Sequence, residues 1–297
     1  MKIIVVGLGL IGGSICKALK ANTEHHIIGM DRDDTALDLA ISMEAIDEVI
    51  PVDRPDLLKR GDVVFLCIPP RSIVEFGLEN KDYFAKGAIV TDVCGVKRFI
   101  VDNLDAPLRE RGVEFIGAHP MAGTEYSGFS FAKKDMFVNA SYLLTPTEQT
   151  NRDKLNILRK LARELGFKHI LVTDAVSHDQ SIAYTSELAH VVSNAYIRSS
   201  MLPKEKGFSA GSFLDMTRVA RLDETTWAEI FLLNKDNLLN EVNQLMQHLS
   251  DVKVLLEADD RDGLRQLLRR GRLLKQQNVA EKRTFIDDFE EFEQFES

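Results

Sequence analysis

Short apolar, β-branched runs occupy residues 3–6, 27–30, 63–68, 88–91, 115–117, 142–144 and 170–172. Between several of them lie amphipathic stretches of helical period, at 11–20, 35–42, 96–110 and 152–165. Strand–helix alternation of this kind predicts a mainly parallel sheet covered by helices, a Rossmann-like doubly wound α/β domain over residues 1–172. After Thr173 the strand signals stop and apolar residues recur at three and four. Trp227, Ile230, Phe231, Leu238, Val242, Leu245 and Leu249 trace one face of a long helix, and Leu264, Leu267, Leu268 and Leu274 trace another. Residues 173–297 are therefore expected to be all-α, with Asp174 or Ser177, followed by Gln180, capping the first helix. These helices carry more apolar face than a lone bundle of that size can cover, which predicts a two-fold homodimer.

Composition narrows the class. With 297 residues, 44% hydrophobic and 28% charged, the chain has material for about two ordinary globular cores and is not a disordered or fibrous sequence. A net charge of -9 argues against nucleic acid and anionic lipid as partners, so any anionic ligand needs a local positive patch. Cys16, Cys67 and Cys94 form no close pair, which points to no metal site, no disulfide framework and a reducing cytoplasm. The opening MKIIVVGLGLIGGSI has the look of a short leader, but glycines break it, and no run approaches the ~18 apolar residues of a membrane span. A soluble, cytoplasmic protein is expected. The stretch 284–297 is acidic and carries Phe285, Phe289, Phe292 and Phe295, the pattern of a frayed or docked acidic helix.

Gly7-Leu8-Gly9-Leu10-Ile11-Gly12 directly follows the first predicted strand and opens a helix. In that context the first glycine permits a tight turn, the second lets a pyrophosphate approach the backbone, and Gly12 lets helix and strand pack closely. The amides near Leu10 and Ile11 then face the phosphates. Asp31 ends the second strand about 20 residues on, where its carboxylate can accept both ribose hydroxyls and repel a 2′-phosphate. This favours NAD over NADP, although the neighbouring Arg32 could turn toward such a phosphate.

The segment Gly117-Ala118-His119-Pro120-Met121-Ala122-Gly123-Thr124-Glu125 follows another predicted strand. That position puts His119 at the carboxyl edge of the sheet, where a neutral imidazole can accept a hydrogen bond from a carbinol as hydride leaves. Read alone, His119 is equally a turn histidine, Arg218 a surface ion-pair former and Trp227 a core residue.

Six blocks in order change that balance: Gly7 to Gly12, Thr91-Asp92-Val93 through Lys97, residues 117–128, His178-Asp179, Ser186 through His190, and Asp215-Met216-Thr217-Arg218 with Trp227. On these the chain resembles the prephenate dehydrogenase family, which includes the arogenate dehydrogenases. The resemblance implies NAD-dependent removal of hydride from the hydroxyl-bearing ring carbon of prephenate, with loss of carbon dioxide to give 4-hydroxyphenylpyruvate in tyrosine biosynthesis. It implies His119 as the hydroxyl's partner, Arg218 as the carboxylate-binding residue for a dianionic substrate, and His190 as a second substrate-binding histidine. It further implies Thr124 and Glu125 at the pocket mouth, Trp227 near the partner subunit's site, and a dimer. Two positions depart from the pattern: Gly95 stands where many relatives have a serine, and Glu187 where many have a histidine. No βαββαβ pattern for a regulatory module follows the helical region. The alternatives are arogenate dehydrogenase, another two-domain hydride-transfer enzyme such as a β-hydroxyacid dehydrogenase, and a catalytically silent NAD-responsive binding protein. The β-hydroxyacid alternative expects a lysine on the first helix of the second domain, and residues 175–200 hold none.

Overall fold

The computed structural model describes residues 1–124 and 126–295, with side chains as far as residue 281. The chain forms two compact units, Met1–Leu238 and Leu239–Ser297. Eight strands, β1 (Lys2–Val6), β2 (His26–Met30), β3 (Glu48–Val49), β4 (Val63–Leu66), β5 (Ile89–Asp92), β6 (Glu114–Pro120), β7 (Ser141–Thr145) and β8 (His169–Val172), make one sheet in the order β3-β2-β1-β4-β5-β6-β7-β8. All neighbours pair in parallel except β6 and β7, which are antiparallel and set His119 opposite Leu143. The order reverses at β1, the position at which doubly wound sheets open a crevice for ligands.

Alternation along β1 shows how the sheet is covered. Ile3 and Val5 face a core shared with Ile15 and Leu19 of α1 (Leu10–Asn22), whereas Ile4 and Val6 face the opposite core. Helix α2 (Asp34–Ser42) packs with the first layer through Ala36, Leu37 and Ala40. Helices α3 (Pro70–Glu79) and α4 (Arg98–Arg109) pack with the second through Ile73, Val74, Ile100 and Leu104. Helix α5 (Arg152–Glu164) returns to the first face. Each fully buried Leu or Ile stabilises the fold by roughly 1.5–3 kcal/mol, so both faces are held independently.

After β8 the chain is helical: α6 (Ala175–Ile182), a π-turn at Ala183–Glu187, α7 (Leu188–Ile197), α8 (Gly211–Thr217), α9 (Glu224–Leu233), α10 (Lys235–Glu257) and α11 (Arg261–Phe295). The cap of α6 is Asp174, whose carboxylate accepts from the amides of Val176 and Ser177. One sequence expectation is corrected. The apolar face from Trp227 to Leu249 does not lie on one helix, because the chain breaks at Asn234 between α9 and α10. Helix α3, which buries Pro70, Ile73, Val74 and Gly77 at helical spacing, adds to the elements expected from sequence, and the two-residue β3 carries too little periodic signal to be read there. The sequence expectation for residues 284–297 concerns side chains outside the described residues.

Candidate active site

The glycine loop is built as its spacing predicts. Gly7 has φ +92°, in the left-handed region, and a Cβ there would collide with the Cys67 carbonyl. A Cβ at Gly12 would collide with the Gly7 carbonyl, so α1 reaches β1 only because Gly12 has no side chain. At Gly9, by contrast, nothing lies within 4 Å of such an atom, and no side chain caps α1. The first amides of α1, at Leu10 and Ile11, are thus left for an outside acceptor. Asp31 follows β2 and accepts from the amides of Leu8 at 2.5 Å and Asp33 at 2.9 Å, which fixes its carboxylate beside the loop; Arg32 is exposed. An open loop, uncapped helix amides and an adjacent carboxylate fit a dinucleotide's pyrophosphate and ribose.

His119, near the end of β6, is the first member of a buried polar chain. Its Nδ1 lies 3.0 Å from Nε2 of His178, and Nδ1 of His178 lies 2.7 Å from the Asp179 carboxylate. Asp179 also accepts from the amides of Lys97 at 2.7 Å and Arg98 at 2.9 Å. Lys97 is fully buried and bonded to Asp92, whose carboxylate also takes the amides of Cys94 and Ala118. Proton placement follows from these partners. A carboxylate only accepts, so Nδ1 of His178 donates to it and Nε2 of His178 carries a lone pair. Nδ1 of His119 must then donate, which leaves Nε2 of His119 as an acceptor. Burial holds the His119 imidazole well below its ordinary value, with His178 and Lys97 adding to the effect, so the ring is neutral. A Cβ at Gly95 would stand 3.9 Å from Nε2 of His119 and equally far from Ile230. The missing serine leaves room beside the acceptor rather than a filled contact.

Helix α9 joins this end to the other predicted residues. Ile230 lies against Gly95, and one turn earlier Trp227 packs its ring on His190, with centroids 3.7 Å apart. His190 Nδ1 donates to the Val219 carbonyl at 2.9 Å, beside the exposed Arg218. Burial lowers the His190 value, and the Arg218 charge adds to that shift against the carbonyl bond. The π-turn lies between α6 and α7, and its surplus residue shifts the phase of α7, which carries His190, relative to α6. All of these residues belong to the first compact unit.

Of the residues singled out in the sequence, His119, Trp227, His190 and Arg218 lie along this path, and Gly7 to Gly12 with Asp31 form the separate glycine loop. Thr124 is exposed in the loop after β6, and Glu125 lies outside the described residues. Trp227 is half-buried against His190 within one protomer. Sequence reading gave no role to His178, Asp179, Lys97, Asp92 or Asn234. The signal for all but Asn234 was the presence of buried-type polar residues within the matched blocks, but only the fold brings 92, 119 and 179 together.

A model of the prephenate dehydrogenase nucleotide-binding domain matches residues 15–171, and one of the prephenate dehydrogenase dimerization domain matches residues 174–270. The prephenate dehydrogenase of Bacillus subtilis is 30% identical over 279 residues, covering 88% of this chain and 72% of that protein. The crystal structure of Synechocystis arogenate dehydrogenase is similar with a TM-score of 0.78 at 32% identity, covering 94% of this chain and all of that one. Prephenate dehydrogenase from A. aeolicus, solved in complex with hydroxyphenyl propionate and NAD+, has a TM-score of 0.82 at 27% identity and covers 93% of this chain and 98% of that chain.

Proposed function

Because the chain belongs to the prephenate dehydrogenase family of oxidoreductases, we propose that it carries out the NAD-dependent oxidative decarboxylation of prephenate to 4-hydroxyphenylpyruvate. The observation that carries this reading is the His119–His178–Asp179 chain, buried at His178 and Asp179, which leaves one neutral imidazole nitrogen as an acceptor. That nitrogen accepts the hydrogen bond of the ring hydroxyl and takes up positive charge developing at the carbinol as hydride departs, a role worth about 10²- to 10⁴-fold. The nicotinamide ring, when bound, supplies the hydride acceptor. The Gly7–Gly12 loop, the α1 amides and Asp31 hold the dinucleotide, and Asp31 selects NAD by excluding a 2′-phosphate.

Arg218 presents an exposed guanidinium to a substrate carboxylate, a charge-assisted contact worth about 1.5–3 kcal/mol. His190, oriented by the Val219 carbonyl and the Trp227 ring, offers Nε2 to the same ligand. Thr124 and Glu125 stand at the mouth. Aromatisation drives the loss of carbon dioxide, so orientation and exclusion of water are the protein's main tasks. Likeness to an arogenate dehydrogenase at 32% identity supports a second reading, arogenate as substrate.

One assay separates them: NADH formation from prephenate and from arogenate, each with NAD and NADP. Faster turnover of prephenate with NAD is expected, and Arg218→Ala raises KM for it about 10- to 100-fold. Preference for arogenate favours the second reading, and no reduced nucleotide with either compound rejects both.

A further inference from the structure

One buried carboxyl has no part in that scheme. Glu187 closes the π-turn with no exposed surface, and both its oxygens lie 3.1 Å from the side-chain nitrogen of Asn234. The same nitrogen donates to the main-chain carbonyl of Asp179 at 2.8 Å, and Nδ2 of Asn237 donates to Oδ1 of Asn234 at 2.8 Å. An amide nitrogen has two hydrogens. One serves the Asp179 carbonyl and the other is shared by the Glu187 oxygens, so loss of Glu187 leaves the second without a partner and loosens the hold on the amide. Asn234 also sits at the break between α9 and α10, which frees its side chain for this task.

We propose that Glu187 is a positioning residue for His119: through Asn234 it fixes the backbone of Asp179, and with it the His178 tautomer that leaves Nε2 of His119 as the hydroxyl acceptor. The inference rests on the reading of His119 as the hydroxyl's partner.

The role requires an uncharged Glu187. Asn234, at the break between α9 and α10, is bonded to it, and Asp179 of α6 acts on it as a charge; Asp179 in turn holds His178 and the Lys97 amide, while Lys235 and Asp236 at the start of α10 are exposed and pair with each other at 3.9 Å. Lys97 is matched by Asp92, so Asp179 is the remaining buried anion of the cluster. Burial pushes the Glu187 carboxyl up to about 8, Asp179 adding and the Asn234 bond opposing. When that proton leaves, the charged carboxylate binds the Asn234 amide more strongly than the neutral acid does and draws it from the Asp179 carbonyl, so the backbone that carries the Asp179 carboxylate loses its anchor.

The test is the pH dependence of kcat and KM for the full-length wild type, Glu187→Gln, Glu187→Leu and His119→Asn, with near-ultraviolet circular dichroism and NAD binding as folding controls. Wild-type kcat should fall as pH rises through about 8. Glu187→Leu should lose about 10- to 100-fold in kcat with little change in KM. Glu187→Gln, which has no proton to lose, should restore that turnover and extend the plateau upward by about one pH unit or more. A residue that only fills space would move the melting temperature and leave the profile alone. An alkaline limb unchanged in Glu187→Gln overturns the proposal, as does wild-type kcat in Glu187→Leu. If Glu187→Leu fails to fold, the Gln profile decides by itself. Full turnover in His119→Asn removes the reading of His119 together with this inference; an inactive His119→Asn beside an unshifted Gln profile removes this inference alone.

Discussion

At the scale of a residue, the proposed chemistry turns on which nitrogen of His119 holds a hydrogen. The carboxylate of Asp179 decides it from two side chains away, because each imidazole passes on the constraint it receives. Replacing His119 by Asn should cut kcat about 10²- to 10⁴-fold while NAD affinity, measured by calorimetry, stays near that of the wild type. The pH profile carries its own sign. Burial lowers the His119 value, so the ring stays neutral as pH falls through 6.5, and turnover should hold there and decline only at more acidic pH. An acid limb centred on 6.5 or higher would contradict a neutral buried base. His119 was legible as a candidate only through the six matched blocks, since read alone it is equally a turn histidine. Its supporting pair was not, because no spacing in the chain announces that residue 178 will touch residue 119.

At the scale of an element, local chemistry was legible wherever period and breaker agreed. The seven apolar runs each became a strand, and the glycine loop formed because Gly7 and Gly12 occupy places no side chain can enter. Gly12→Ala should therefore push α1 off β1, costing on the order of 1–3 kcal/mol in urea unfolding and weakening NAD binding at least about tenfold. Normal NAD affinity in that variant would mean the helix terminus does not hold the phosphates. Helix breaks were less legible. Continuous periodicity hid the end of α9, where Asn234 gives its side chain to Asp179 and Glu187 instead of to solvent. The π-turn was equally hidden, since one surplus residue leaves apolar spacing almost unaltered while rotating the next helix by about 100°.

At the scale of the whole molecule, buried polar groups make stability depend on pH. The folded-state value of Glu187 is raised from its ordinary 4.5 to about 8, so the native state holds this proton more tightly than the unfolded chain does. The contribution is complete below 4.5 and is lost as pH rises through about 8. Melting temperature should fall across that interval in the wild type, and the Glu187→Gln protein should lose that part of the slope. Helices α10 and α11 leave Leu239, Met246, Leu249, Leu268 and Leu274 exposed, a face a second copy would cover. Sedimentation equilibrium should report a dimer, and Leu249→Asp should shift it toward monomer; a wild type monomeric at micromolar concentration would leave that face unexplained. The dinucleotide half was legible as a whole, but the union of both halves in one polar chain was not, because it depends on contacts between residues 55 to 82 positions apart. That union has a consequence during synthesis on the ribosome. When the sheet is complete at Val172, residues 178 and 179 are still to be made, so on the proposed reading of His119 the nascent nucleotide half lacks the partners that orient its base. The proposed lock through Asn234 comes later still, which would make competence a late product of translation.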